Sequence, residues 1–101
     1  MTLVGHSLGA AIAIMAAVAL TLIGHAKVTV YGFEPPRVSP GVGVRAVLAK
    51  VPVRLFRNGN DVVTGVPLGW SHAGLLTQIG KPKLPFPNVE DHFIERVIEA
   101  L

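Results

Sequence analysis

The sequence has no cysteine among its 101 residues. Disulfide bonds, thiolate metal sites and a cysteine nucleophile are therefore excluded. This absence does not set the compartment, because a secreted protein can dispense with disulfides. Charge is scarce as well: 15% of the residues are Asp, Glu, Lys or Arg. The formal net charge is +3, and the basic residues are scattered from Lys27 to Arg96 without a run of five. Scattered cations leave no nucleic-acid footprint, so no nucleic-acid partner is expected. The small positive excess is compatible with a weak attraction to an anionic lipid surface.

No Lys or Arg precedes Lys27, so the positive start of a signal peptide is not seen. Residues 8–23 form the longest apolar stretch, with Thr21 its one clearly polar side chain. That stretch is slightly short of the ~20 residues that span a bilayer. It is expected to be a core helix, apolar all round because other elements surround it. Half of the chain is hydrophobic, which excludes disorder. The length suits one domain with a modest core, and not two.

Residues 1–4 read as the end of a strand, and residues 5–9 as a tight turn. Residues 10–23 are rich in Ala, Leu, Met and Ile with no Gly or Pro, which predicts a helix ended by Gly24. Residues 27–33 and 52–57 have the β-branched and aromatic content of buried strands. Pro35 and Pro36 stop the first of these, because proline donates no ladder hydrogen bond. A short helix is expected at 42–50, a short strand at 75–79 and a proline-rich loop at 80–87. A last helix is expected at 88–101, with Asn88 as N-cap and Asp91 in its first turn. Alternating strands and helices predict an α/β fold, a mainly parallel sheet flanked by helices. In such sheets ligands gather beyond the carboxyl ends of the strands. Ser7, the segment 34–37 and Asp61 each follow a predicted strand, so all should lie at that edge.

Gly5-His6-Ser7-Leu8-Gly9 fits G-x-S-x-G. In that pattern a serine sits on a sharp strand-to-helix turn and projects its hydroxyl from the sheet edge. Small residues at 5 and 9 would let neighbouring backbone pass close by. The backbone N–H of Leu8 would face the carbonyl oxygen of a bound ester and serve as one oxyanion donor. A serine hydroxyl becomes a useful nucleophile only when a histidine takes its proton and a carboxylate orients that histidine. Asp61, after a strand and the turn Asn58-Gly59-Asn60, is the first choice of acid. Glu34, near the same edge, is the second. Glu95 and Glu99 read as solvated charges on the last helix. His92 and His72 compete as the base, and spacing alone leaves both in play. His25 lies at the far end of the first helix and reads as a surface residue. Gly41-Val42-Gly43-Val44-Arg45-Ala46 has a dinucleotide-like spacing but follows Ser39-Pro40 rather than a strand. The histidines lack metal-ligand spacing, so no metal site is expected.

Four segments together resemble the class 3 (fungal-type) lipases of the α/β-hydrolase superfamily. GHSLGAAIA resembles the family's nucleophile elbow, YGFEPPRV its strand ending in Pro-Arg-Val, and RNGNDVV with Val66-Pro67 its acid segment. Trp70-Ser71-His72-Ala73-Gly74 and Asp91-His92-Phe93 resemble its two histidine segments, in family order. The resemblance implies Ser7 as nucleophile, Asp61 as acid and His92 as base, with His72 a neighbouring structural or pocket residue. It implies acylglycerols or related carboxylic esters as substrates, with no cofactor. Leu68, Trp70 and Phe86, with the 84–87 loop, are candidates for an acyl pocket, which is mainly apolar. Two departures stand out: Glu34-Pro35 replaces a usual Gly-Ser pair, and Thr64 stands where a proline often follows the acid. The resemblance covers the family's C-terminal half only, so residues 1–101 are expected to form one partial α/β-hydrolase domain without the N-terminal strands, lid and second oxyanion donor. A complementing N-terminal half, self-association or a lipid surface would then be natural partners of the open sheet edge. The competing expectation is a catalytically impaired half that binds a partner or lipid. A third is an acyltransferase or thioesterase using the same residues.

Overall fold

The computed structural model describes residues 1–25, 27–81 and 86–101. Four parallel strands form one sheet: β1 (Thr2–His6), β2 (Thr29–Phe33), β3 (Val53–Asn58) and β4 (Leu76–Ile79). They lie side by side in chain order, with β1 and β4 at the edges. Register places Gly5 beside Gly32, Gly32 beside Leu55 and Leu55 beside Leu76. The connections carry α1 (Leu8–Leu22) and α2 (Gly43–Val47), and α3 (Ile94–Ala100) ends the chain. The parallel α/β architecture expected from the sequence is what the chain adopts. All four strands point the same way, so the segments that follow them share one edge.

The core lies between α1 and the sheet. Ala10, Ala13, Ile14 and Ala17 form a buried stripe at helical spacing. Ile14, Val30, Leu48 and Leu55, with Val28 and Ala73, complete the cluster. Gly32 belongs to this close packing, since a Cβ there would meet Leu55 Cδ2 at 2.9 Å.

One expectation about α1 fails. The helix is not enclosed all round: Leu8, Ile12, Met15 and Leu22 are 47–70% exposed. A helix beside a sheet buries one stripe, and nothing among the described residues covers the other. No helix of the described chain is long and apolar enough to cross a membrane.

The dinucleotide-like glycines fall in a bend and the start of α2, away from any strand end. The predicted last helix is also divided. Glu90–His92 forms a single 3-10 turn, Phe93 is extended (φ −62°, ψ 136°), and α3 begins only at Ile94. Asn88 does act at the start of the turn, where its Oδ1 accepts the Asp91 N–H at 3.0 Å. The break follows from tethering. The Asp91 carboxylate accepts the Asn60 N–H at 2.9 Å and Asn88 Nδ2–H at 3.1 Å, while its carbonyl accepts Asn58 Nδ2–H. These bonds tie the turn to the end of β3 rather than letting it run on as a straight helix.

Candidate active site

Ser7 occupies a sharp turn between β1 and α1 with φ 58° and ψ −125°. This conformation is costly for a residue with a side chain, of order 1–3 kcal/mol. Its own N–H donates to the Phe33 carbonyl at 2.9 Å, which anchors the turn to β2. Gly5 makes the turn sterically feasible: a Cβ there would lie 2.2 Å from the Gly9 carbonyl oxygen. A Cβ at Gly9 would meet nothing within 4 Å, so only the first glycine of the pentapeptide is demanded by close approach. The Ser7 side chain does not cap α1. Instead its hydroxyl donates to His92 Nε2 at 2.7 Å.

The other face of the same ring is engaged too. His92 Nδ1–H donates to Asp61 Oδ2 at 2.8 Å. Asp61 is 1% exposed, and its Oδ1 accepts the Val63 N–H at 2.9 Å. The three side chains come from positions 7, 61 and 92, and the turn tethered by Asp91 delivers the last of them. Leu8 opens α1, where backbone N–H groups have no helical acceptor and the helix dipole is positive.

His72 takes no part in this chain of bonds. Its Nε2–H donates to the Thr64 carbonyl at 2.7 Å, fastening the 3-10 turn Val63–Gly65. Burial, foremost, and the Arg37 and Arg45 charges hold its imidazolium form below the ordinary pKa of 6.5, against the bond to Thr64. The two histidines that spacing alone left in competition are thus separated by their partners.

His6 is a contributor that sequence reasoning did not single out. Its Nε2–H donates to the His92 carbonyl at 2.9 Å, and the two rings lie 5.0 Å apart. Its place inside the pentapeptide, next to Ser7, was the available signal.

Glu34, the second choice of acid, is not an alternative to Asp61 but its neighbour. It is fully buried, and Oε1 accepts the Asn58 N–H at 2.5 Å. Burial, then a hydrogen bond to Asp61 and its charge, push its pKa up to about 10, against the opposing bond from Asn58 and with a smaller push from Asp91. Glu34, Asp61 and His92 offer atoms within 4.8 Å of one another, a chemistry that metals also use. Here both His92 nitrogens are engaged by Ser7 and Asp61, so the arrangement reads as one of shared protons.

Leu68, Trp70 and Phe86 are 86%, 41% and 56% exposed, while Leu84 and Pro85 of the proposed loop lie outside the described residues. Two cavities of the described chain lie elsewhere. One, lined by Asn58, Lys81, Asp91 and Arg96, sits behind the β3 end, and the other, lined by Thr21, His25, Lys27 and Lys50, at the opposite edge.

A parallel sheet with a strained serine turn after one strand defines an α/β-hydrolase-type fold. Among known families, the profile of the lipases of class 3 matches residues 1–70, and the chain belongs to that family. No curated protein matches it significantly. Among solved structures it is similar to a mutant form of MDLA from Penicillium cyclopium, with 30% identity and TM-score 0.71 over 89% of this chain and 34% of that one. It is also similar to a structure described for an unusual buried polar cluster in a family of fungal lipases, with 30% identity and TM-score 0.73 over 90% and 35%. A third fungal lipase gives 29% identity and TM-score 0.71 over 89% and 34%. The chain thus spans about a third of the length of these lipases.

Proposed function

We propose that the chain carries the catalytic serine, acid and base of a lipase-like carboxylic-ester hydrolase. The observation that carries this reading is the pair of hydrogen bonds meeting on one imidazole, 2.7 Å to Ser7 Oγ and 2.8 Å to Asp61 Oδ2. Ser7 Oγ attacks the ester carbonyl while His92 Nε2 takes its proton. Asp61 fixes the tautomer that leaves Nε2 free to accept, and stabilises the imidazolium that forms. The oxyanion is met by the Leu8 N–H and the positive end of α1. His92 returns the proton to the leaving alcohol, and water attacking the acyl-serine, with His92 again as base, releases the acid. Acylglycerols or related lipid esters are the substrate class, supported by family membership and by the exposed apolar residues Leu8, Leu68, Trp70 and Phe86.

A fluorophosphonate probe tests this directly. It should label the parent chain and neither Ser7→Ala nor His92→Ala, and short-chain ester turnover should follow the same order. A folded parent that stays unlabelled would refute the reading.

One observation favours an additional binding role. The β1 edge carries exposed Val4 beside the uncovered stripe of α1, and open apolar edges associate. A complementing lipase segment, a second copy or a lipid surface would fit there. Sedimentation with and without lipid vesicles tests it, and a monomer indifferent to lipid would sink it.

A further inference from the structure

Among the described residues two buried acids near Ser7, His92 and Asp61 have no task in the proposed reaction, Asp91, which tethers the turn before α3, and Glu34. Glu34 follows β2 at a left-handed φ of 56°, a conformation unusual for a residue with a side chain. Its Oε1 is occupied by the Asn58 N–H. Its Oε2 is buried, and no donor among the described residues faces it. Around it stand Asp61 on the loop after β3, and Asp91 and His92 on the turn before α3. An ionised Glu34 would thus hold a bare, buried oxygen among carboxylates, which is expensive. Neutral, its acid proton has an acceptor close by in the Asp61 carboxylate, whose oxygen lies within 4.8 Å.

We propose that Glu34 is a positioning residue, a neutral carboxylic acid whose Oε2–H donates to Asp61 and fixes that carboxylate against His92 Nδ1. The inference rests on the triad reading given above. Asp61 then accepts from three sides: the Val63 N–H, His92 Nδ1–H and Glu34. A carboxylate so held cannot swing away from the imidazole without losing two other bonds. Glu34 also joins the β2 end to the β3 end through Asn58. A merely structural role would be confined to that link.

Two substitutions separate the roles. Glu34→Gln keeps an acceptor for Asn58 and a donor for Asp61, but cannot ionise. Glu34→Ala keeps neither. Fluorophosphonate labelling rates are measured from pH 6 to pH 10.5 on folded samples. At neutral pH Glu34→Gln should label like the parent, and Glu34→Ala on the order of tenfold to a hundredfold more slowly, as for a group displaced by up to an ångström. In the alkaline range the parent should lose rate as the Glu34 proton leaves, and Glu34→Gln should not share that loss. Parent and Glu34→Gln profiles that coincide, or Glu34→Ala labelling at the parent rate, would overturn the proposal.

Two further readouts do not need activity. The chain has only four glutamates, so the Glu34 carboxyl carbon is assigned in a carbon-13 spectrum by its loss in Glu34→Gln. It should remain at its protonated position at pH 7, and titration in the ordinary carboxylate range would overturn the idea. The low-field proton on His92 Nδ1 should survive in Glu34→Gln and shift or vanish in Glu34→Ala. An unlabelled parent with both spectral results as expected would remove the hydrolase reading and leave the Glu34–Asp61 bond standing.

Discussion

Replacing Gly5 by alanine should disable the serine turn, whereas the same change at Gly9 should not. The motif treats the two glycines alike, but the structure does not. A Cβ on residue 5 would lie 2.2 Å from the Gly9 oxygen, 2.3 Å from its carbon and 2.6 Å from the Ala10 nitrogen. All three are backbone atoms of the first turn of α1, so no side chain can yield. Relief to an ordinary contact of about 3.4 Å requires β1 and α1 to part by about 1.2 Å. Overpacking of this kind costs about 1–3 kcal/mol, occasionally more. The displaced element carries Ser7 and Leu8, and a misplacement near 1 Å can cost ~10²-fold in rate. At Gly9 the added methyl meets open space in a helix, and alanine is favoured there by up to ~1 kcal/mol. Thermal melting followed by circular dichroism and labelling by a fluorophosphonate give both quantities. Gly5→Ala should melt several degrees lower and label far more slowly, while Gly9→Ala should match or exceed the parent melting point. Equal behaviour of the two variants would refute the steric argument.

Ser7→Gly should lose labelling yet gain about 1 kcal/mol of stability, because glycine tolerates φ 58° without strain; urea titration of both chains checks this. Asp91→Ala should unfold more easily by about 1–3 kcal/mol, since Asn60 N–H and Asn88 Nδ2–H lose a buried acceptor, and should slow labelling because His92 is the next residue. His72, whose pKa burial lowers from 6.5, binds fewer protons folded than unfolded, so its contribution to stability is present above about pH 6.5 and is lost as pH falls through the folded value. Melting points of the parent and His72→Gln between pH 8 and pH 5 test this, with a shallower decline expected in the variant. Glu34 has the opposite sign: its raised pKa makes the parent lose stability as pH rises from 4.5 toward about 10, so Glu34→Gln should become relatively more stable across that window.

Much of the fold was legible because local pattern and tertiary demand agree. β2 and β3 lie within one or two residues of their β-branched runs, and α1 within two of its Ala-rich stretch. The serine turn was legible because a strand, two glycines and a helix must coincide there. What the sequence concealed depends on distant partners. The last helix was expected to begin at 88, since Asn88 and Asp91 have capping chemistry. Asn88 does cap, but bonds from Asn58 and Asn60 hold the turn and α3 restarts at Ile94. Similarly, spacing offered Glu34 or Asp61 as the acid. No local rule could state that both are buried side by side, because the parallel pairing of β2 with β3 alone brings their ends together. The even hydrophobicity of α1 misled for a related reason: it records what the helix can bury, not what covers it among the described residues.

Each of the three side chains of the proposed triad is fixed by a different kind of constraint. Ser7 is held by backbone sterics, through the contact of Gly5 with Gly9 and the bond to Phe33. Asp61 is held by hydrogen bonds within the loop that follows a buried strand. His92 sits on a short turn with little packing of its own, and it is fastened at the ring by Asp61 and Ser7 and at the carbonyl by His6. His6 lies on β1, directly before Ser7, so the element that projects the serine also steadies His92. A shift of β1 therefore moves both ends of the Ser7–His92 bond together. On this argument His6→Ala should slow labelling more than it lowers the melting point, because it frees the His92 backbone without opening the core. A fall in melting point with unchanged labelling would instead place His6 among the purely structural contacts.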